Sequence, residues 1–441
     1  MRDDVRRRLR ELGVVKGMRE MAAPAPRRRV AIENLVPGRF HTTSHGQCFV
    51  AETTYPPDHV HGDLPLSVFL DLAAETIAQV PQYEPLVSAD RRRVCFLDTE
   101  TTGLSGGTGT MAFVVGLGWF VEDGFLVRQY FLRDPGDEPA MIEALAELLP
   151  TFEALVSFNG RTFDVPILEN RFILARTPPP TGDLPHLDLL HPARRLWHYH
   201  LSSCALGSLE RAVLGVLREQ DDVPGGVIPT LYRDYLRTGD ARDMQRVLYH
   251  NGIDILSLVT LAARLCRAFA APWTEGRGGV HTTLSGGELL GLGRWYAAEG
   301  RPAEAERAYR TALRADLDAD LRARVLRTLA YLLKAADRRP EAFAFWQQLA
   351  LESAGDILAH VELAKHLEWH AGKLALAVGW TRAALAQVEC WPRGMSRDVA
   401  LAELRHRLAR LERKQKKSQT PNSKSQNPNP KSQNPGSREA E

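Results

Sequence analysis

The stretch from residue 95 to residue 103 constrains this chain more than any other. Val94–Leu97 is an uninterrupted apolar run, which predicts a buried β-strand. Asp98 and Glu100 follow directly, and because strand side chains alternate between faces, both carboxylates should point the same way. Two adjacent carboxylates repel each other, so one must take up a proton unless a cation lies between them. Hard oxygen ligands suit Mg²⁺ or Mn²⁺, so one interpretation is a divalent-ion site. The simpler interpretation is a strand end with two solvated acids.

The composition is ordinary for a globular protein and argues against several classes. Of 441 residues, 44% are apolar and 25% charged, and a chain of this length is expected to form two or three domains. It has no apolar run long enough to span a membrane, and its arginine-rich N-terminus lacks the apolar core of a signal peptide. The five cysteines (48, 95, 204, 266 and 390) show no paired spacing. This pattern argues against a zinc site and predicts reduced thiols in a cytoplasmic protein.

The formal net charge of +2 hides an asymmetry between the ends and the body of the chain. Residues 1–29 carry ten Lys/Arg against four Asp/Glu, and residues 413–441 carry seven against two, which leaves the remainder at −9. Attraction to a polyanion would therefore come from the ends or from local patches, unless both ends are merely solubilising tails.

The order of predicted elements divides the chain into six segments. They are a basic flexible N-terminus (1–29), an N-terminal extension (30–90), an α/β domain (91–267), a linker (268–284), a helical region (285–412) and a disordered basic tail (413–441). Predicted strands span 47–54, 94–97, 112–121, 125–132, 154–158 and 184–189, and predicted helices span 5–12, 66–80, 138–149, 163–172, 191–197, 206–217, 230–236 and 243–267. Three antiparallel strands followed by alternating strands and helices predict a mixed sheet with helices on its faces.

The helical region contains a loose internal repeat. The stretch from Gly300 to Ala305 recurs as Arg338 to Ala342 and again as Gly372 to Ala377, at offsets of roughly 35 residues. Each copy lies between two apolar helical patterns, and this period and layout resemble tetratricopeptide repeats. Three copies are about the minimum that can bury a continuous core. A plain helical bundle is the alternative.

Four carboxylates stand in settings that suit one shared site. Asp98 and Glu100 end a strand, Asp164 follows a strand and begins a helix, and Asp254 lies inside a predicted helix. Taken singly, Asp164 is also compatible with an ordinary helix N-cap and Asp254 with a solvated helix residue. Their order and local settings together favour a common site.

The motifs around these acids resemble the DEDD superfamily of 3′–5′ exonucleases. The first motif is Asp98-x-Glu100-Thr-Thr-Gly103-Leu104, the second combines Asn159 and Asp164 with Leu168 and Arg171 behind them, and the third is the helix that carries Asp254. The resemblance covers residues 91–267, and residues 30–90 are expected to belong to the same branch. Further landmarks resemble a bacterial branch with helical repeats behind the nuclease domain: Asp188-Leu189, Cys204-x-Leu206-x-x-Leu209-Glu210 and Pro229-x-x-Tyr232-x-x-Tyr235.

This resemblance implies an α/β, ribonuclease H-like mixed sheet with flanking helices, followed by an all-α tetratricopeptide-like repeat domain. It implies a two-metal phosphodiesterase, with two Mg²⁺ or Mn²⁺ ions roughly 4 Å apart. Asp98 would bridge both ions, and Glu100, Asp164 and Asp254 would complete the ligand set. Nucleic acid, DNA or RNA, would be attacked at its 3′ end. The implied substrate contacts are Thr101, Gly103, Asn159 and Arg171, although Arg171 is also compatible with a plain helix-surface charge.

The motif leaves open which residue would orient or deprotonate the attacking water. One branch of the superfamily has Tyr four residues before the last Asp and another has His five before it, whereas this chain has His250 at four and Tyr249 at five. Four residues turn a helix by about 400°, which places His250 on the face of Asp254, and five residues place Tyr249 about 140° away. His250 is therefore favoured for this role and Tyr249 for the core, but the exchange leaves both open.

Three functions are compatible with these observations. The first is a metal-dependent nuclease joined to a repeat domain that binds a protein partner or organises nucleic acid. The second is a nucleic-acid-binding protein without catalysis on the same fold, motivated by the exchanged His and Tyr. The third is a repeat scaffold with a structural front domain. The sequence leaves open DNA versus RNA, exonuclease versus endonuclease, the partner and the oligomeric state.

Overall fold

A computed structural model describes residues 29–103, 109–218, 222–276, 279–353 and 355–419. The chain divides into two compact units, Met1–Leu284 and Ser285–Glu441. Among the described helices, none combines the length and the apolar character needed to cross a membrane. The helix predicted at 5–12 and most of the Gly-rich loop after Gly103 lie outside the described residues.

A seven-stranded mixed sheet forms the centre of the first unit. In chain order the strands are β1 (Gly38–Thr43), β2 (Gly46–Tyr55), β3 (Val60–His61), β4 (Leu64–Pro65), β5 (Val94–Thr101), β6 (Ala112–Val121), β7 (Gly124–Phe131), β8 (Ala154–Ser157), β9 (His186–Asp188), β10 (Thr274–Gly276) and β11 (Gly279–His281). The sheet order is β1-β2-β7-β6-β5-β8-β9, and β3–β4 and β10–β11 are separate two-stranded ribbons. Strands β5 to β7 are antiparallel, whereas β8 pairs in parallel with β5 and with β9. The predicted mixed sheet is confirmed.

The N-terminal extension supplies two strands of this sheet. Strand β2 pairs with β7 from Phe49 opposite Phe131 to Tyr55 opposite Phe125, and β1 pairs with β2 at the edge. The central strands β5 and β6 are buried over most of their length, because helices cover both faces of the sheet. Their long apolar runs follow from that double burial.

Eight α-helices accompany the sheet in the described part of the first unit. They are α1 (Ala74–Ile77), α2 (Glu84–Val87), α3 (Glu138–Leu148), α4 (Asp164–Leu174), α5 (Leu190–Trp197), α6 (Leu206–Leu209), α7 (Ile228–Thr238) and α8 (Arg242–Ala270). Most fall where the apolar periodicity predicts helices, with ends shifted by a few residues.

The continuous helix predicted at 66–80 is wrong. The segment forms a 3₁₀ turn, Leu66–Phe69, and the single-turn helix α1. Its apolar side chains, among them Leu72 and Val80, are nevertheless buried. The apolar spacing therefore reflects contact with the core and not a helical repeat.

The helix predicted at 206–217 is also shorter and less regular than expected. Helix α6 passes into a π-helical turn, Glu210–Leu214, which ends at Gly215 in the left-handed conformation with φ +71°. A side chain there would be strained, so the glycine ends the helix early. Residues 216–218 then turn back towards α8 without regular structure.

Helix α8 lies unusually close to the sheet because β6 has two glycines beneath it. A Cβ atom on Gly116 would lie 2.1 Å from Oδ1 of Asn251, and one on Gly118 would lie 2.5 Å from Cγ2 of Ile255. The missing side chains thus let the middle turns of α8, which include Asp254, approach the centre of the sheet.

The second unit is all-helical. Its helices are α9 (Gly286–Ala298), α10 (Pro302–Ala312), α11 (Ala319–Ala335), α12 (Arg339–Glu352), α13 (Ile357–Trp369), α14 (Leu374–Glu389) and α15 (Met395–Gln419). Helices pack in consecutive pairs, α9 with α10, α11 with α12, and α13 with α14. The turn within each pair contains one residue with positive φ: Gly300 at +71°, Asp337 at +60° and Gly372 at +64°. The sequence repeat therefore coincides with repeated helix–turn–helix pairs, and the tetratricopeptide class stays a prediction.

The start of the predicted disordered tail is helical. Helix α15 continues to Gln419, and residues 420–441 lie outside the described part of the chain. Arg410 and Lys414 pair with the buried carboxylate of Glu368 on α13, at 2.7 Å from Nη2 and 2.6 Å from Nζ respectively. Lys414, which belongs to the predicted tail, thus helps to neutralise a buried acid.

Replacement of Gly116 by alanine should destabilise the first unit. The added methyl group would meet the Asn251 side chain at 2.1 Å, and we expect a loss of about 1–3 kcal/mol in the free energy of unfolding. Urea unfolding followed by circular dichroism measures this loss. Gly182→Ala is the matched control, because nothing lies within 4 Å of its added methyl group. Equal stability of the two variants would contradict the close approach of α8 to β6.

Candidate active site

Strand β5 carries the first two predicted metal ligands. Asp98 and Glu100 are partly accessible, whereas Thr99 and Thr101, which alternate with them, are buried. The two carboxylates therefore share one face of the strand, as the alternation predicts. The register with β6 shifts between Glu100 and Thr101, so the pairing becomes irregular immediately after the second acid.

Asp98 is held by a buried amide network. Nδ2 of Asn251, on α8, donates to Oδ2 of Asp98 over 2.7 Å and to the main-chain oxygen of Asp98 over 3.2 Å. Nε2 of Gln129, on β7, donates to Oδ1 of Asn251 over 2.7 Å, which fixes the orientation of the Asn251 amide. The network thus orients Asp98 while Asn251 engages only one of its carboxylate oxygens.

Asp164 is the most enclosed of the four acids, with 5% of its surface exposed. It is the first residue of α4, one position inside the helix, and Phe163 occupies the N-cap. The N-cap interpretation of Asp164 is therefore wrong. Its Oδ1 accepts the hydroxyl hydrogen of Thr99, which connects the start of α4 to strand β5.

The turn between β8 and α4 is anchored by a second buried aspartate. Asn159 adopts the left-handed conformation with φ +67°, which asparagine tolerates better than most residues. Asp188 accepts the main-chain N–H groups of Asn159 at 2.7 Å, Arg161 at 3.1 Å and Leu190 at 3.0 Å. Asp188 therefore ties this turn to β9 and so fixes the start of α4.

Asp254 is paired with an arginine that the sequence did not single out. Nη2 of Arg218 donates to Oδ1 of Asp254, and Nε and Nη2 donate to the two oxygens of Glu210 over 2.7 and 2.6 Å. Glu210 is 1% exposed and also accepts the hydroxyl hydrogen of Ser257 over 2.6 Å. A buried carboxylate is tolerated when it is paired and hydrogen-bonded. Arg218 therefore stabilises both Glu210 and Asp254.

His250 lies on the same side of α8 as Asp254, as its four-residue spacing predicts. Its Nε2 is 3.6 Å from Oδ2 of Asp254, and its Nδ1 is 2.7 Å from Oδ1 of Asp222. Because a carboxylate accepts hydrogen bonds, we assign the ring proton to Nδ1, which leaves Nε2 as the acceptor in the neutral ring. Nη1 of Arg218 lies 2.9 Å from Nδ1, but a protonated nitrogen cannot accept, so we assign its hydrogen bond to Oδ2 of Asp222 at 3.4 Å.

Tyr249 lies close to another tyrosine. Burial raises the pKa of Tyr55, and the neighbouring Tyr249 raises it further. Tyr249 is half-buried, and its place in the core stays a prediction.

The charges of the four acids act on one another. Burial raises the pKa of Asp98 well above its usual range, and the charges of Asp254, Glu100 and Asp164 raise it further. The pKa of Glu100 is raised by burial and then by Asp254 and Asp164. Burial also raises the pKa of Asp164 to about 6, although the hydrogen bond from Thr99 opposes the shift. Ionised together, these carboxylates destabilise one another.

The donor chemistry suits a divalent ion, because carboxylate oxygens are the ligands that Mg²⁺ and Mn²⁺ prefer. Within the described residues, however, no three His, Cys, Asp or Glu side chains are arranged as ligands around one point. Burial raises the pKa of Asp254, whereas Arg218, and His250 when its ring is protonated, lower it. A guanidinium group therefore already supplies positive charge at one of the predicted ligands.

Two of the predicted substrate contacts, Thr101 and Asn159, make hydrogen bonds to residues close to them in the sequence. The Thr101 hydroxyl donates to the main-chain oxygen of Gly103 over 2.7 Å, immediately after the acidic pair. The side-chain oxygen of Asn159 accepts the hydroxyl hydrogen of Thr162 over 2.9 Å.

Arg171 pairs with Glu138 on α3, with 2.6 Å from Nε to Oε1, and its side chain is 13% exposed. It therefore connects α4 to α3 and is not the exposed surface charge of the alternative interpretation. The contact with Glu138 engages both Nε and Nη2 in a two-pronged pair.

Sequence reasoning missed several residues that shape this site. Gln129, Asn251, Arg218 and Asp222 were not considered, and Glu210 appeared only as a landmark. Asn251 and Gln129 could have been noticed as polar residues within apolar stretches of a helix and a strand. Arg218 and Asp222 lie outside the described helices and strands, where the sequence has no period, so no local pattern points to them.

The first comparison concerns the part of the first unit that contains the four carboxylates. Residues 95–266 match the family model described as RNase_H superfamily, and this part of the chain is an RNase H superfamily domain. The domain extends from β5 into the last turns of α8, and so includes all four carboxylates.

The second comparison is with a particular protein. The chain is 29% identical over 374 residues to a protein of Bacillus subtilis (strain 168) named "Uncharacterized protein YprB". The aligned region covers 83% of this chain and 86% of the Bacillus protein, and it is too long to fall within either compact unit alone. The similarity therefore includes residues of both units.

Replacement of Asp98 by asparagine should stabilise the metal-free protein at about pH 8, because it removes one of four mutually repelling charges. A raised pKa in the folded state means that the folded wild type loses stability as the pH rises through that pKa. The advantage of Asp98→Asn should therefore shrink as the pH falls from about 8 to about 4, through the raised pKa of Asp98 and that of Asp164 at about 6. Thermal melts in EDTA across this range measure the difference.

Asp188→Asn is the matched control and should behave in the opposite way. Asp188 is buried and accepts three main-chain N–H groups, so an amide NH₂ at one of these positions would leave donors facing each other. We expect a loss of about 1–3 kcal/mol. A destabilised Asp98→Asn variant would contradict the repulsion among the four acids.

Proposed function

We propose that this chain is a metal-dependent nuclease that removes nucleotides from the 3′ end of DNA or RNA. The observation that supports it most is the convergence of Asp98, Glu100, Asp164 and Asp254 from three separate elements into one electrostatic cluster. Carboxylates assembled at the expense of stability are typical of functional sites that hold cations. The RNase H superfamily domain agrees with nucleic acid as the substrate. The 3′ polarity rests on the resemblance of the motifs.

The four carboxylates would hold Mg²⁺ or Mn²⁺, which supply Lewis-acid stabilisation of the charge that develops on the phosphate oxygens. The surrounding residues restrict how these ligands can move. Asn251 orients Asp98, Thr99 orients Asp164, and Arg218 orients Asp254. Partners of this kind set the direction of each ligand before an ion arrives.

His250 would handle the proton of the attacking water. With its ring proton directed at Asp222, the imidazole presents Nε2 on the side of Asp254 and can accept a proton there. Asp222 would then stabilise the imidazolium and keep its orientation. Thr101, Gly103 and Asn159 would contact the substrate strand beside the acids.

We infer that the helical unit binds a protein partner or nucleic acid through tetratricopeptide-like repeats. Its helix–turn–helix pairs with regularly spaced positive-φ turns support this class. The activity proposed above does not depend on it.

Hydrolysis should require divalent ions and Asp98. We expect 5′-labelled single-stranded DNA or RNA to be shortened from its 3′ end in Mn²⁺ by the wild type and not by Asp98→Asn. Gel electrophoresis of the labelled strand, with a 3′-blocked strand as control substrate, measures both the activity and its direction. Circular dichroism checks that the variant is folded. Failure of the wild type to cleave either strand would exclude the nuclease.

The roles of His250 and Tyr249 can be separated by paired substitutions. His250→Ala should lower the cleavage rate by about 10²–10⁴-fold, because it removes the proton acceptor, whereas Tyr249→Phe should stay close to wild type. Single-turnover cleavage in Mn²⁺ measures both rates. Full activity in His250→Ala together with none in Tyr249→Phe would assign the role to Tyr249.

A second candidate function is nucleic-acid binding without catalysis. The ion pair between Arg218 and Asp254, and the absence of a ligand arrangement among the described residues, favour it. It predicts that the labelled strand is retained by the wild type and remains intact in Mg²⁺ and Mn²⁺.

A further inference from the structure

We propose that Arg218 is a fixed second cation of the carboxylate cluster, so that the chain binds one divalent ion where its motifs imply two. This inference rests on the proposed function, because it concerns the metal content of the same site. The number of divalent ions bound per chain distinguishes it from the two-ion expectation.

Carboxylates hold the guanidinium group of Arg218 in one orientation. Its Nε and Nη2 donate to both oxygens of Glu210, Nη2 also donates to Oδ1 of Asp254, and Nη1 lies 3.4 Å from Oδ2 of Asp222. All three nitrogen atoms of the guanidinium thus face carboxylates. A planar group held in this two-pronged manner has a fixed orientation, unlike a solvated lysine.

Displacement of Arg218 would destabilise Glu210. Glu210 is 1% exposed, and its other described partner is the hydroxyl of Ser257, which lies 2.8 Å from Nε2 of the buried His61. Displacement of Arg218 would leave Glu210 as a buried carboxylate without its cation, which is strongly unfavourable. A metal ion at Asp254 would have to overcome that loss as well as the ion pair itself. The guanidinium therefore stays in place.

Arg218 also limits the carboxylate oxygens that remain for a metal ion. Arg218 takes Oδ1 of Asp254 and lies near enough to lower the pKa of Glu100 against the effect of burial and of the neighbouring acids. A second divalent ion between Glu100 and Asp254 would be repelled by this fixed positive charge. Asp98, Glu100, Asp164 and the remaining oxygen of Asp254 are then left for one ion, which would have to draw these side chains together, because as described they do not surround one point.

Mn²⁺ binding by the full-length chain tests the proposal. Equilibrium dialysis to saturation gives the number of ions per chain, with and without a single strand that carries a non-hydrolysable phosphorothioate 3′ end. Electron paramagnetic resonance separates an isolated ion from a spin-coupled pair, since two ions of a shared site lie roughly 4 Å apart. We expect one ion and an isolated-ion spectrum in both conditions.

Three variants connect the count to Arg218. Arg218→Lys keeps the charge and should bind one ion. Glu210→Gln combined with Arg218→Met removes the buried pair together, so that no carboxylate is stranded, and should bind two ions with a coupled spectrum. Arg171→Met is the matched control for the ion count, because Arg171 is also paired with a carboxylate and its side chain is 13% exposed against 14% for Arg218.

The outcomes separate this inference from the proposed function. Two ions in the wild type would overturn the inference while the nuclease proposal stands. One ion in the wild type and still one in the folded double variant would show that Arg218 is not the reason, and would also overturn it. No bound ion in the wild type would defeat the metal-dependent nuclease itself. If the double variant does not fold, the wild-type count and spectrum alone decide.

Discussion

Repulsion among carboxylates at the centre of the first unit is the interaction on which the rest of the structure depends. Burial and mutual charge raise the pKa values of Asp98 and Glu100 well above their ordinary range. Such an arrangement opposes folding, so it persists because other contacts fix the elements that carry the acids. The glycines of β6, the amide network around Asn251 and the anchored turn at Asp188 all supply such contacts.

Positive charge reaches this cluster from an irregular segment and not from the sheet. Arg218 and Asp222, which follow the π-helical turn of Glu210 in the sequence, both contact residues of α8. Glu210 fixes the arginine from behind, and Asp222 fixes His250 through its Nδ1. One short segment thus sets the orientation of both the last acid and its neighbouring histidine. Irregular π-helical geometry is frequent at functional sites.

Much of this architecture could be predicted from the sequence, because it follows from local patterns. The alternation around Asp98 predicts which face it occupies, and the mixed sheet follows from three strands succeeded by alternating strands and helices. The helix at 66–80 was predicted wrongly, because buried irregular chain can imitate helical spacing. The partners of Asp254 were missed because an ion pair between residues 36 apart, such as Arg218 and Asp254, leaves no local pattern.

The shared amide of Asn251 has a spectroscopic consequence. It joins strand β5, strand β7 and helix α8 through one continuous chain of donors and acceptors, from Gln129 to Asp98. Any event that changes the electron density on the Asp98 carboxylate will polarise this chain along its length. The side-chain NH₂ resonances of Gln129 and Asn251, shielded from solvent, would report occupancy of the cluster without a label placed within it.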